Sequence, residues 1–155
     1  MRATPVVVGS LVLAFGLLVL LSVLRPMRTH VFQDARGDSF SIEIHKDWSP
    51  SGLPHAFRQV LEGPLPSGAR GRIALSSLWD LGPEKAPPPD ELQENWEAEG
   101  ARYTLRWVPG VPMKWCRLRQ GTIEFNAMVF GIEPITPEDD DFYDRCLRSI
   151  RRVRK

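Results

Sequence analysis

The sequence predicts an α+β domain, an antiparallel β-sheet with helices packed on its faces, preceded by one N-terminal transmembrane helix. Three observations carry that expectation. Ala3–Leu24 is a run of 22 residues without a charged side chain, set between Arg2 and Arg25. Later stretches alternate strictly, with Phe40, Ile42 and Ile44 pointing one way and Ser41, Glu43 and His45 the other, as in a half-buried strand. Near the C-terminus, Phe142, Tyr143, Cys146, Leu147, Ile150 and Val153 recur at helical spacing, as on a helix docked by one face.

A helix crossing a ~30 Å hydrocarbon core needs about 20 residues, so the first run is long enough to span. A cleaved signal peptide has a shorter apolar region and small residues before the cut. The run instead ends Ser22-Val23-Leu24-Arg25-Pro26, with no such pair and no following Cys to acylate. These criteria favour an uncleaved anchor and divide the chain into residues 3–24 (anchor, in the lipid bilayer), 25–30 (juxtamembrane linker) and 31–155 (one globular domain). Arg25 and Arg28 behind the segment slightly favour a cytoplasmic domain by the positive-inside rule. The family resemblance given below points the other way, and single-pass placement with an extracytoplasmic domain is the expectation adopted.

Within the domain, Asp34–Asp38 is a turn signal and residues 39–46 a strand ending near Trp48-Ser49-Pro50. Leu53–Leu61 reads as a short helix with Phe57, Val60 and Leu61 on one side, closed by Gly63-Pro64. Gly71–Trp79 reads as a strand, and 82–89 as a linker too rich in Pro for regular structure. Asp90 is placed to cap a second helix, with Leu92 and Trp96 at i,i+4 spacing and Gly100 as its stop. Tyr103, Leu105 and Trp107 alternate with Arg102, Thr104 and Arg106. Met113–Arg119 and Ile123–Gly131 are separated only by Gln120-Gly121-Thr122 and should pair as an antiparallel hairpin. Thr136-Pro137-Glu138 supplies an N-cap, a Pro at the first helical position and an acidic first turn for the last helix.

Composition excludes several function classes. The 20 basic and 19 acidic residues nearly cancel, whereas nucleic-acid binding calls for a net basic face, so no nucleic-acid partner is expected. Two cysteines, Cys116 and Cys146, cannot supply the usual four zinc ligands, and their spacing is not that of a thioredoxin-type site. If both are interior, a helix across a sheet could bring them within reach of a disulfide; the alternative is two packed thiols. The three histidines, His30, His45 and His55, stand in unrelated contexts, so neither a metal nor a cofactor is implied. Asp139-Asp140-Asp141 reads as an acidic helix start rather than a calcium loop, whose oxygens alternate around a Gly. Arg148, Arg151, Arg152, Arg154 and Lys155 form a basic cluster that could contact a membrane or a partner, or simply complement the helix dipole. Trp48 and Trp115 read as packing residues. No nucleophile accompanies His45, Asp47 or His55, and no catalytic residue is assigned.

Ser39-Phe40-Ser41-Ile42-Glu43-Ile44-His45-Lys46-Asp47-Trp48 resembles the opening F-x-I-x-x-P-x-x-W strand of the PsbP-like family, with His45 in place of the Pro. Phe142 to Arg151 resembles the family's closing helix, F-x-x-I-x-x-S-I/F-R, and Val108-Pro109-Gly110-Val111-Pro112 stands where a short Gly turn precedes its hairpin. The resemblance covers about residues 31–153. It implies a PsbP-like αβα sandwich and a generally non-enzymatic role. Together with the anchor it suggests a membrane-tethered interaction or assembly-assisting domain for a protein partner whose identity stays open. The alternative is a small-ligand carrier or sensor with a pocket between helix and sheet.

Overall fold

The computed structural model describes residues 27–56, 58–78, 88–111, 113–130 and 136–153. They form two antiparallel sheets and one helix. The first two strands are β1 (Met27–Gln33) and β2 (Ser39–His45), followed by β3 (Ser49–His55), β4 (Arg58–Pro64) and β5 (Arg70–Leu78). Then come β6 (Leu92–Ala98), β7 (Ala101–Trp107), β8 (Met113–Gln120) and β9 (Ile123–Phe130). Helix α1 (Pro137–Arg148) and β10 (Arg151–Val153) complete the described chain. The large sheet runs β3-β4-β5-β9-β8-β7-β6, and the small one β1-β2-β10.

The expected α+β sandwich is therefore corrected: the protein is mostly β-sheet, with a single helix among the described residues. Both missing helices became strands for identifiable reasons. Just before 53–61, Gly52 takes φ +81°, and the β3–β4 register shifts between Ser51 and His55, so the segment pairs as an irregular edge hairpin. Leu61 then buries on one sheet face while Val60 lies on the other. In 90–100, the Leu92/Trp96 spacing of four satisfies a strand's period of two as well as a helix's 3.6. The tie is broken by Glu99 and Gly100, both at positive φ (54° and 74°), which turn the chain so that Ala98 faces Ala101. Such a two-residue turn matches strand twist, and it stacks Trp96 on Tyr103 at 5.0 Å.

The β8–β9 hairpin forms as expected, with Gln120 opposite Ile123. Helix α1 also starts as read: Thr136 caps it, with Thr136 Oγ1 accepting from the Asp139 N–H and Asp139 accepting from the Thr136 N–H. Phe142, Tyr143, Cys146, Leu147 and Ile150 are buried, whereas Val153 is 38 % exposed and belongs to β10 rather than to the helix. The membrane expectation is not supported. Among the described residues no helix is long and apolar enough to cross a membrane, and residues 3–24 lie outside those described. The single-pass, extracytoplasmic placement that rested on that anchor is set aside with it.

One core joins the layers. Phe40, Ile42 and Ile44 of β2 and the apolar stripe of α1 cover a sheet face built from Leu61, Ile73, Leu75, Tyr103, Leu105, Cys116, Leu118, Phe125, Ala127 and Val129. Phe40 stacks on Phe125 at 4.2 Å, which sets the small sheet over β9. Trp48, fully buried, donates from Nε1 to the Pro64 carbonyl at 2.8 Å and lies against Phe142 and Tyr143. Its indole fills the space where a side chain at Gly63 would begin. Gly63→Ala should therefore cost about 1–3 kcal/mol, the usual range for overpacking a filled core, read as a lowered denaturant midpoint with an unchanged slope.

Candidate functional site

Where the small sheet, the β4–β5 turn and α1 meet, the chain leaves a cleft of about 740 Å³. Its small-sheet wall is made of two cross-strand pairs, Met27 opposite His45 and Thr29 opposite Glu43. Pro64, Leu65 and Pro66 form the turn wall, and Phe142 and Arg145 project from the helix. Strand alternation explains the first wall: burying Ile42 and Ile44 forces Glu43 and His45 to the other side. Helical spacing explains the third, since Phe142 and Arg145 are three apart and share a face.

The cleft is held by specific hydrogen bonds. Arg28 donates to the Trp48 carbonyl at 2.5 Å, fixing its guanidinium across the end of the small sheet. The turn wall is tied to the helix start, where Asp139 Oδ1 accepts from the Ser67 N–H at 3.0 Å. Burial by itself would push the Asp139 carboxyl up, but the bonds from Ser67 and Thr136 prevail and hold it below the usual carboxylate range. Tyr143 reaches the same region: its hydroxyl accepts from the Arg72 N–H at 3.3 Å, and burial pushes that phenol up to about 12.

The cleft's charges are unequal. Arg28 and Arg145 are both exposed and both line the cleft. Glu43 is the one carboxylate in the lining, and its backbone N–H is spent on Ser149 Oγ at 2.7 Å. His45 faces Asp47 at 3.4 Å. The floor is apolar through Leu65 and Phe142, both buried. An apolar floor below two guanidiniums suits a molecule with an anionic end and an apolar body, since Arg recognises carboxylate, sulfonate or phosphate oxygens by paired N–H donors.

The residues singled out from the sequence lie elsewhere. Cys116 on β8 and Cys146 on α1 are both fully buried and both free, so of the two alternatives the possible disulfide is set aside and two packed thiols are found. In register Cys116 sits between Leu105 and Ala127, with Arg148 and Arg151 as its nearby charges, whereas the charges near Cys146 are Arg145 and Glu43. Burial pushes each thiol up to about 12. The three described members of the basic cluster each have their own partner. Arg148 makes a paired contact with Glu94 (2.8 and 2.6 Å) and lies over the Trp96 ring. Arg151 donates to the Arg148 and Ile150 carbonyls and covers Tyr103. Arg152 bridges Gln120 and Asp38, both at 3.0 Å. All three thus fasten the end of the chain to the sheets, while Arg154 and Lys155 fall outside the described residues.

Sequence reasoning missed Arg28, Arg145 and Lys114. Lys114, buried on β8, donates to Asp144 at 2.6 Å and pairs with Asp140 at 2.8 Å. Burial works against its charge, yet these carboxylates prevail and raise it above the ordinary lysine value. A signal existed: Lys114 shares strand parity with Cys116 and Leu118, a charge at a core position that demands a partner. Among the described residues, no group of three or more His, Cys, Asp or Glu side chains could hold a metal ion. No protein-family model matches the chain and no curated protein matches it, so neither comparison supports the PsbP-like resemblance.

Two outcomes follow from this chemistry. Asp139, lower in the folded state than unfolded, contributes stability at neutral pH that is lost as pH falls through its folded value. Asp139→Asn should lower stability at pH 7, and the gap to the unaltered protein should narrow in acid unfolding series below the usual carboxylate range. At pH 8, Ellman's reagent should label neither cysteine in the folded protein and both after denaturation, because thiolate is the reactive form; labelling of the folded chain would contradict the burial.

Proposed function

We propose that this protein is a non-catalytic binding domain, and that it takes a small amphipathic anion in the cleft between helix and small sheet. The observation that carries the reading is the cleft itself. It combines a volume within the common range of ligand sites with an apolar floor and Arg28 and Arg145 at its rim. Its walls are pre-formed, because Trp48, Asp139 and Arg28 hold them by hydrogen bonds that do not involve a ligand. The cysteines offer no competing chemistry: they are fully buried, with thiols near 12.

Anilinonaphthalene sulfonate, an aromatic body carrying one anionic end, is a suitable probe. It should bind the folded domain saturably, one per chain, with a rise in its emission. Arg145→Glu, at an exposed position, should weaken that binding about tenfold, roughly the 1.4 kcal/mol expected of one charge-assisted contact. Circular dichroism of the variant distinguishes lost binding from lost fold. Unchanged affinity in a folded Arg145→Glu protein would remove the cleft as the site.

A further inference from the structure

The face of the large sheet turned away from the core is not uniformly polar. Register places Trp115 opposite Met128, Met128 opposite Ala74, and Ala74 opposite Val60, one apolar row across β8, β9, β5 and β4. Beside it, Met113 stands opposite Phe130. Met128 is 40 % exposed and Met113 36 %, well above what side chains in the row's position would show under a packed layer. Methionine is the side chain best able to reshape itself around different apolar partners.

Charge on this face is lopsided. Glu62 alone faces both Arg70 (3.3 Å) and Arg72 (2.7 Å), so one carboxylate meets two guanidiniums. Arg58 is exposed, two residues from Val60 on the same face, in the next row with Ser76 and Asn126. The apolar row is thus bordered on its β4–β5 side by more positive than negative charge. From this complementarity we infer that the outer sheet face docks a segment of a partner protein rich in Asp or Glu and studded with apolar side chains. The apolar side chains lie along Trp115, Met128 and Val60, while the acids meet Arg58, Arg70 and Arg72. This surface is distinct from the cleft and its occupancy does not depend on the small-ligand reading.

The test is fluorescence anisotropy with a labelled peptide that alternates glutamate and leucine, set against a peptide with lysine in place of glutamate. The acidic peptide should bind the folded protein and weaken as salt rises, because exposed charges are screened. Met128→Glu and the pair Arg58→Glu and Arg72→Glu should each weaken it about tenfold or more, as removal of a central anchor or of the steering charge does. Arg145→Glu, in the cleft, should leave peptide binding unchanged. Equal binding of the lysine peptide, or insensitivity to both outer-face changes in folded variants, would overturn the inference. So would self-association through this face, seen as a dimer in sedimentation that Met128→Glu dissolves, or displacement of the peptide by single-stranded oligonucleotide at the same residues.

Discussion

The Trp48 indole is gripped by segments far apart in the chain, and the architecture around the cleft depends on that grip. Its ring fills the hollow over Gly63, its N–H reaches the Pro64 carbonyl, and its faces meet Phe142 and Tyr143 of the helix. The backbone carbonyl of Trp48 accepts from Arg28, and its backbone N–H donates to the His45 carbonyl. One residue therefore ties β1, the end of β2, β4 and α1 together. A large aromatic with a satisfied polar handle is suited to this, because its bulk fills the junction while its hydrogen bond fixes orientation.

The helix extends the same logic. Asp139 serves the capping box and also clasps the Ser67 N–H, so one carboxylate both starts α1 and positions the β4–β5 turn. Further along, Lys114 meets Asp140 and Asp144, and Arg148 meets Glu94, so the helix is pinned to β8 and to β6 by charge where its apolar stripe does not reach. These pairs are partly desolvated and set geometry more than they add net stability. The walls of the cleft are in this way products of packing that would exist with no ligand present.

How far the sequence revealed this architecture varies by element. The alternation of Phe40, Ile42 and Ile44 and the cap before Phe142 were legible, because a single period or a single capping chemistry fits each. The β8–β9 hairpin was legible from its short connection. Residues 92–98 misled because a spacing of four satisfies two periods, and Glu99-Gly100 is not among the dipeptides that most clearly mark a tight turn. Residues 53–61 misled because Leu61 and Val60, adjacent in sequence, lie on opposite sheet faces, and only long-range pairing decides which is buried. The cleft was the least legible part: Arg28, Glu43 and Arg145 come from three elements, and nothing local to any of them signals the others. Of the basic residues read as one cluster, Arg148, Arg151 and Arg152 reach different acceptors, because the backbone after Arg148 leaves the helix for a strand.

That short final strand changes how the domain must assemble. Arg152 lies opposite Phe40, and Ser149 Oγ accepts from the Glu43 N–H across a sequence separation of 106. The small sheet is thus completed by a contact between the earliest and latest described parts of the chain, and closing so long a loop is an entropic cost met before the pairing rewards it. The hairpins of the large sheet, local by comparison, can form as each strand pair becomes available. A polypeptide emerging from the ribosome would carry β2 with its β10 edge unpaired until nearly all the described residues had been made.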